Sequence, residues 1–189
     1  MNVLDSPDIT AINTFVESLK HHNPRVSAAA VEALIESAPA TVQPLIDAFY
    51  DSIDQGIQVY MVQVLARIGN PEALDLLAEV VGTEVANHCQ GNVRRIAARG
   101  LGRIGSTSNN TEIIHRVSEK LIWALFTPQD WGLRYAAAVS LQEIATPRAN
   151  IALQQALKLE QDKVVQSRIA KAVNSEQLTV NSEQLTVNS

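Results

Sequence analysis

The chain of 189 residues predicts an all-α solenoid of about five stacked helical hairpins, on three observations. The first is an internal repeat. Segments that begin at Val26, Ile57, Val93, Leu133 and Val164 place Leu34, Leu65, Leu101, Leu141 and Ala172 eight residues on. Eleven residues on they place Ser37, Ile68, Ile104, Ile144 and Ser175. The starts lie 31, 36, 40 and 31 residues apart, a period proper to helical solenoids. The second is helical spacing: offsets four and five hold Ala30/Val31, Met61/Val62, Ala97/Ala98, Ala137/Ala138 and Arg168/Ile169, so each segment carries an apolar stripe. The third is composition, 46% apolar but only 4% aromatic, which suits closely packed helices.

Each segment is read as the second helix of a hairpin. In the first, residues 9–19 form the opening helix and Asn23-Pro24 starts its partner. In the second, 42–53 is followed by Gly56 and the segment from Ile57. Gly69-Asn70-Pro71 closes that unit and opens the third, whose first helix is 73–81 and whose second ends near Gly105. The fourth pairs 113–126 with the segment from Leu133 across Pro128, and the fifth pairs 151–159, after Pro147, with the segment from Val164. Pro and Gly fall where helices must end and restart. One hairpin cannot bury both faces, so the units stack into a right-handed α-solenoid of HEAT-like hairpins over residues 1–173, with weaker outer units. Arg168, Lys171 and Ser175 make the fifth unit a cap. Residues 174–180 recur as 181–187, and this duplicated polar stretch, 174–189, is expected to be a disordered tail or, alternatively, a short interaction peptide.

The net charge of −5 argues against a nucleic-acid partner. No stretch approaches the ~20 apolar residues of a membrane span, and the N-terminus lacks the regions of a signal peptide, so a cytoplasmic protein is expected. Cys89 stands alone, which leaves no internal disulfide and no Cys-rich metal site; no metal is expected. Phosphate loop, nucleophile elbow, His-Glu-x-x-His and dinucleotide fingerprint are all missing from the sequence. His21-His22, in the first turn, reads as a solvated pair.

Function on a repeat scaffold gathers where one unit departs from the rest. The third does, through GTEVANHCQGN at 82–92, a connection that carries His88 and Cys89 and leads to Arg94 and Arg95. A cysteine beside a histidine, near a helix start and two arginines, favours thiolate and could act as a nucleophile. The alternative is a half-buried cysteine with a solvated histidine, and adjacent ligands lack the spacing zinc needs. Arg95, Arg99 and Arg103 share one helix face and read either as a carboxylate clamp or as a ridge paired with acids of a neighbouring unit. Trp123 and Trp131 bracket the turn of the fourth hairpin, near Phe126 and Tyr135. Trp123 is expected in the core, Trp131 at the surface as a ligand or partner contact. Tyr50 and Tyr60 fit core or groove.

The stretch Asn87-His88-Cys89-Gln90-Gly91-Asn92, followed by VRRIAARGLGRIG, resembles the F subunit of the E/F-type bilin lyases, HEAT-repeat proteins of cyanobacteria that work as heterodimers with an E subunit. The resemblance covers about 9–173, and the loop is similar to that of the non-isomerising, phycocyanin-directed members. The tail has no counterpart. The resemblance implies an enzyme that attaches phycocyanobilin through a thioether to a cysteine of the phycocyanin α subunit, and can transfer or remove it. Phycocyanobilin is then substrate, and no cofactor is needed. The implied partners are the E-type subunit and the phycocyanin α subunit. His88 and Cys89 would be catalytic, through proton transfer or a transient adduct; Asn87, Gln90 and Asn92 would line the bilin site. Arg94 and Arg95 would pair with the propionates, and Trp131 with Tyr135 would cover the pigment. Rival readings are a non-catalytic HEAT adaptor or degradation factor of phycobiliproteins, and a scaffold unrelated to pigments.

Overall fold

The computed structural model describes residues 9–83, 88–127 and 129–174, with only the backbone of residues 9 and 88–90. Side-chain caps open the helices. Asn23, Asp54, Asn70, Asn110, Asp130 and Thr146 each accept a hydrogen bond from a backbone N–H of the turn that follows. Pro24, Pro71 and Pro147 stand at first helical positions, where no N–H is needed. The hairpins that result pair α1 (Ile9–Ser18) with α2 (Pro24–Glu36), and α3 (Val42–Asp51) with α4 (Gln55–Ile68). A single 3-10 turn at Pro71–Ala73 leads into α5 (Leu74–Gly82), which pairs with α6 (His88–Thr107). Then follow α7 (Thr111–Leu125) with α8 (Trp131–Ile144), and α9 (Pro147–Leu159) with α10 (163–174). No strand occurs among the described residues. The tail beyond residue 174 and the Asn87 end of the third connection lie outside them.

The helices form two layers. α2, α4, α6 and α8 pack side by side, and α1, α3, α5, α7 and α9 form the second row. Leu34, Leu65, Leu101 and Leu141 are fully buried between them, with Ala97, Ala98, Ala137 and Ala138, so the repeat positions are the core positions. α10 adds Val165, Ile169 and Ala172 to that core, and its Arg168 donates to Gln142 of α8. Ion pairs tie successive units in both rows: Glu32 with Arg67, Arg99 with Glu143, Asp75 with Arg116, and Glu119 with Arg148. All are largely exposed and fix register more than they stabilise.

Three boundaries differ from the sequence reading. Gly105 does not close the second helix of the third unit; it lies inside α6, where a Cβ would come within 2.8 Å of the Ile144 side chain, so it serves close packing. α9 begins at Pro147, and Ile151 and Leu159, the expected apolar ends, are exposed while Ala149, Ala152, Leu153 and Ala156 face the core. α3 ends before Ile53, which is fully exposed. No helix among the described residues is long and apolar enough to cross a membrane.

Candidate functional site

The departure of the third unit is smaller in the backbone than its sequence suggests. α6 starts at His88, so His88, Cys89 and Gln90 occupy its first turn rather than a loop, and Gly91 is helical. The exposed Asn92 lies one turn on, and Arg94 follows, both in the wall of a cavity of about 730 Å³ between the second and third hairpins. Phe49, Val59, Tyr60, Val80, Thr83 and Val93 contribute to that wall, with Gln55 and Gln58 at its polar side. The cavity is thus a mainly apolar hollow with one guanidinium in its lining. Its size falls within the range of small-molecule sites.

Arg94 is 7% exposed, and its Nε donates to the Val81 carbonyl at 2.9 Å. Burial pushes its pKa down, opposed by the charge of Asp130. Arg95 turns the other way. Its Nη2 donates to Asp130 Oδ1 at 2.9 Å, and its guanidinium carbon stands 5.5 Å from the Trp131 ring centroid. Gly132 makes this possible, since a Cβ there would lie 2.3 Å from the Arg95 guanidinium. Asp130 also caps α8, accepting from the Leu133 N–H at 2.9 Å. One carboxylate therefore orients both Arg95 and the start of the helix that carries Trp131 and Tyr135. Arg95 and Trp131 are brought together, but through an acidic partner that a second propionate contact would have to displace.

Trp123 is not core. It is half-exposed, with Lys120 Nζ 4.7 Å from its ring centroid. Val117, Leu121, Ala124 and Leu125 mark the buried face of α7, and 123 falls off that stripe, a signal present in the sequence. With Phe126, Trp131 and Tyr135, all partly exposed, it makes an aromatic edge at the turn of the fourth hairpin. The arginine stripe splits: Arg95 and Arg99 pair with Asp130 and Glu143 of the next unit, and the Arg103 stem lies over Gly69. Tyr60 lines the cavity, whereas Tyr50 is exposed and its hydroxyl donates to Glu79. His21 and His22 are exposed and stacked, centroids 4.5 Å apart. The sequence reading passed over Arg134, whose Nε and Nη2 donate to Glu160 at 2.8 and 3.0 Å. Among the described residues no group of three His, Cys, Asp or Glu could hold a metal ion.

Stacked hairpins with an apolar cavity and an aromatic, cationic edge define a helical-repeat protein of the HEAT class, and the family model described as HEAT repeats matches residues 83–174. The bilin biosynthesis protein PecF of Nostoc sp. (strain PCC 7120 / SAG 25.82 / UTEX 2576) is 63% identical over 89% of this chain and 98% of its own length. PecF of Mastigocladus laminosus is 58% identical over 89% and 81%. The phycocyanobilin lyase subunit beta of the same Nostoc strain is 32% identical over 87% and 84%. Among solved structures, a chain from the complex of CpcE and CpcF of phycocyanin lyase from Nostoc sp. PCC7120 superposes with a TM-score of 0.74 at 29% identity, covering 87% of this chain and 99% of that one. The chain belongs to the F-subunit family of the E/F-type bilin lyases.

Proposed function

We propose that this chain is the F-type subunit of a two-subunit bilin lyase that joins phycocyanobilin to a cysteine of the phycocyanin α subunit, and can also transfer or remove it. The observation that carries the reading is the coincidence of family and geometry. The residues that set the third unit apart stand at the start of α6, one turn before Asn92 and Arg94 in the cavity wall. The chemistry is an addition. The acceptor sulfur bonds to the ethylidene carbon of the pigment, the double bond is consumed, and the thiol proton ends on the tetrapyrrole. Nothing leaves, so the balance calls for no metal, nucleotide or redox partner, and the lyase contributes position and exclusion of water. His88 moves the proton, or Cys89 holds the pigment as an adduct whose carbon–sulfur bond breaks before the acceptor's forms. Asn87, Gln90 and Asn92 edge the pigment, Arg94 meets a propionate, and Trp131 and Tyr135 cover a ring face. A solved relative sits in a complex of CpcE with CpcF, which supports a heterodimer with an E-type subunit. The site of action is the cytoplasm, where apo-phycobiliproteins are at hand.

The test combines the chain, an E-type partner, apo-α subunit and phycocyanobilin, and follows the pigment that survives denaturation. A covalent chromophore that forms only with both subunits is expected; none would reduce the chain to an adaptor. Cys89→Ser is expected to leave folding intact and to impair attachment, and full transfer by that variant would remove Cys89 from the chemistry. The identities favour a second reading of the acceptor: 63% and 58% to the PecF proteins stand against 32% and 30% to the phycocyanobilin lyase β subunits. In that reading the chain differs from the phycocyanin-directed members in acceptor or pigment isomer. Running the assay on several apo-α subunits separates the two, and a shorter-wavelength denatured spectrum marks a moved double bond.

A further inference from the structure

Lys120 is a cation of this edge that the proposed roles leave unused. Its Nζ stands 4.7 Å from the Trp123 ring centroid and so close to Gly82, at the end of α5, that a Cβ there would lie 2.7 Å from it. Among the described residues no carboxylate lies within ion-pair distance of Nζ and none accepts a hydrogen bond from it. The surrounding cations differ: Arg95, Arg99, Arg116, Arg134 and Arg148 are each matched by an Asp or Glu. Arg94 shares the condition of Lys120. It has no carboxylate in contact among the described residues, and its Nε rests on the Val81 carbonyl. Arg94 of α6 and Lys120 of α7 therefore both stand against the last turn of α5, whose carbonyl end only partly compensates them. Burial first, and the charge of Arg94 second, lower the Lys120 pKa. Two partly desolvated cations with no carboxylate in contact among the described residues, Arg94 eased only by the more distant charge of Asp130, are what a carboxylate would relieve.

We propose that Lys120 and Arg94 together form a carboxylate site beside the cavity, and that it takes a propionate of the linear tetrapyrrole. Arg95, held by Asp130 under Trp131, is then a positioning residue for the aromatic edge and not the second half of the clamp. This assignment rests on the bilin-lyase reading. The experiment titrates the complex with its E-type partner using phycocyanobilin and its dimethyl ester, which keeps the ring system and removes both charges. The intact complex is expected to prefer the free acid by about tenfold or more, the worth of one charge-assisted contact. Lys120→Met and Lys120→Gln should lose most of that preference with ester binding unchanged, and Lys120→Arg should keep it. A full preference for the acid in Lys120→Met or Lys120→Gln would overturn the site, as would equal binding of acid and ester by the unaltered complex. Binding of neither pigment would overturn the lyase reading itself.

Discussion

Gly100 sets how near α6 can come to α4. A Cβ at this position would lie 2.6 Å from Ala66 Cβ and 2.7 Å from Ala66 Cα, with Leu77 Cδ1 at 2.9 Å. A backbone atom cannot swing aside as a side-chain end can, so the two helices would have to part. Gly100→Ala gains about 1 kcal/mol of helix propensity, yet overpacking a tight interface costs about 1–3 kcal/mol, and a backbone collision belongs at the upper end. The expected net loss is about 2 kcal/mol, read as a lower midpoint in urea. Gly105→Ala meets the flexible Ile144 side chain first, so its loss should be smaller. Equal stability of Gly100→Ala and the parent chain would mean that the α4–α6 seam yields more than its packing indicates.

At the scale of the helix, one buried ion pair joins the fourth unit to the fifth. Arg134 of α8 and Glu160, just past α9, have side chains 13% and 6% exposed. The hydrogen bond from Arg134 draws the Glu160 carboxyl below the ordinary value of 4.5, against burial, helped by backbone N–H groups of Asp162 and Gln161. A carboxyl with a lowered folded-state pKa adds stability in full above the ordinary value and loses it as pH falls toward the lowered one. Glu160→Gln should therefore cost about 3 kcal/mol near neutral pH, and the gap should shrink below pH 4.5 as Glu160 of the parent protonates. A gap that stays constant down to pH 3 would place its origin in shape rather than charge. Much of this level was open to the sequence. The apolar period and the turns at Asn23-Pro24, Asn70-Pro71 and Pro147 marked the helices, because both act within a few residues. Gly105 misled, since glycine serves close packing as well as helix ends. The partners of Arg94, Arg95 and Arg134 were hidden because Val81, Asp130 and Glu160 reach them only through the folding and stacking of hairpins. The exposure of Trp123 was legible from the stripe of α7, but its place inside an amphipathic helix drew the reading toward core filling.

The whole molecule gains its order from neighbours, and they are unevenly shared. α6 packs against α4, α5, α7 and α8, and its Ala97, Ala98, Leu101 and Ile104 are fully buried, whereas α1 leans chiefly on α2 and α3. In a stack whose stability is a sum of unit and interface terms, the element with most interfaces opens last. Amide exchange should therefore be slowest along the middle of α6 and faster in α1. The helix at that seam also carries, at its N-terminal end, the turn 88–90 to which the chemistry is assigned under the proposed function, so that turn is mounted on the helix with most neighbours. Binding of the E-type partner and pigment should then slow exchange at residues 88–95 more than at 97–104, where protection is already near the global limit. Exchange as rapid in the middle of α6 as in α1 would mean that the chain alone does not hold this seam, and that the partner assembles the site rather than completing it.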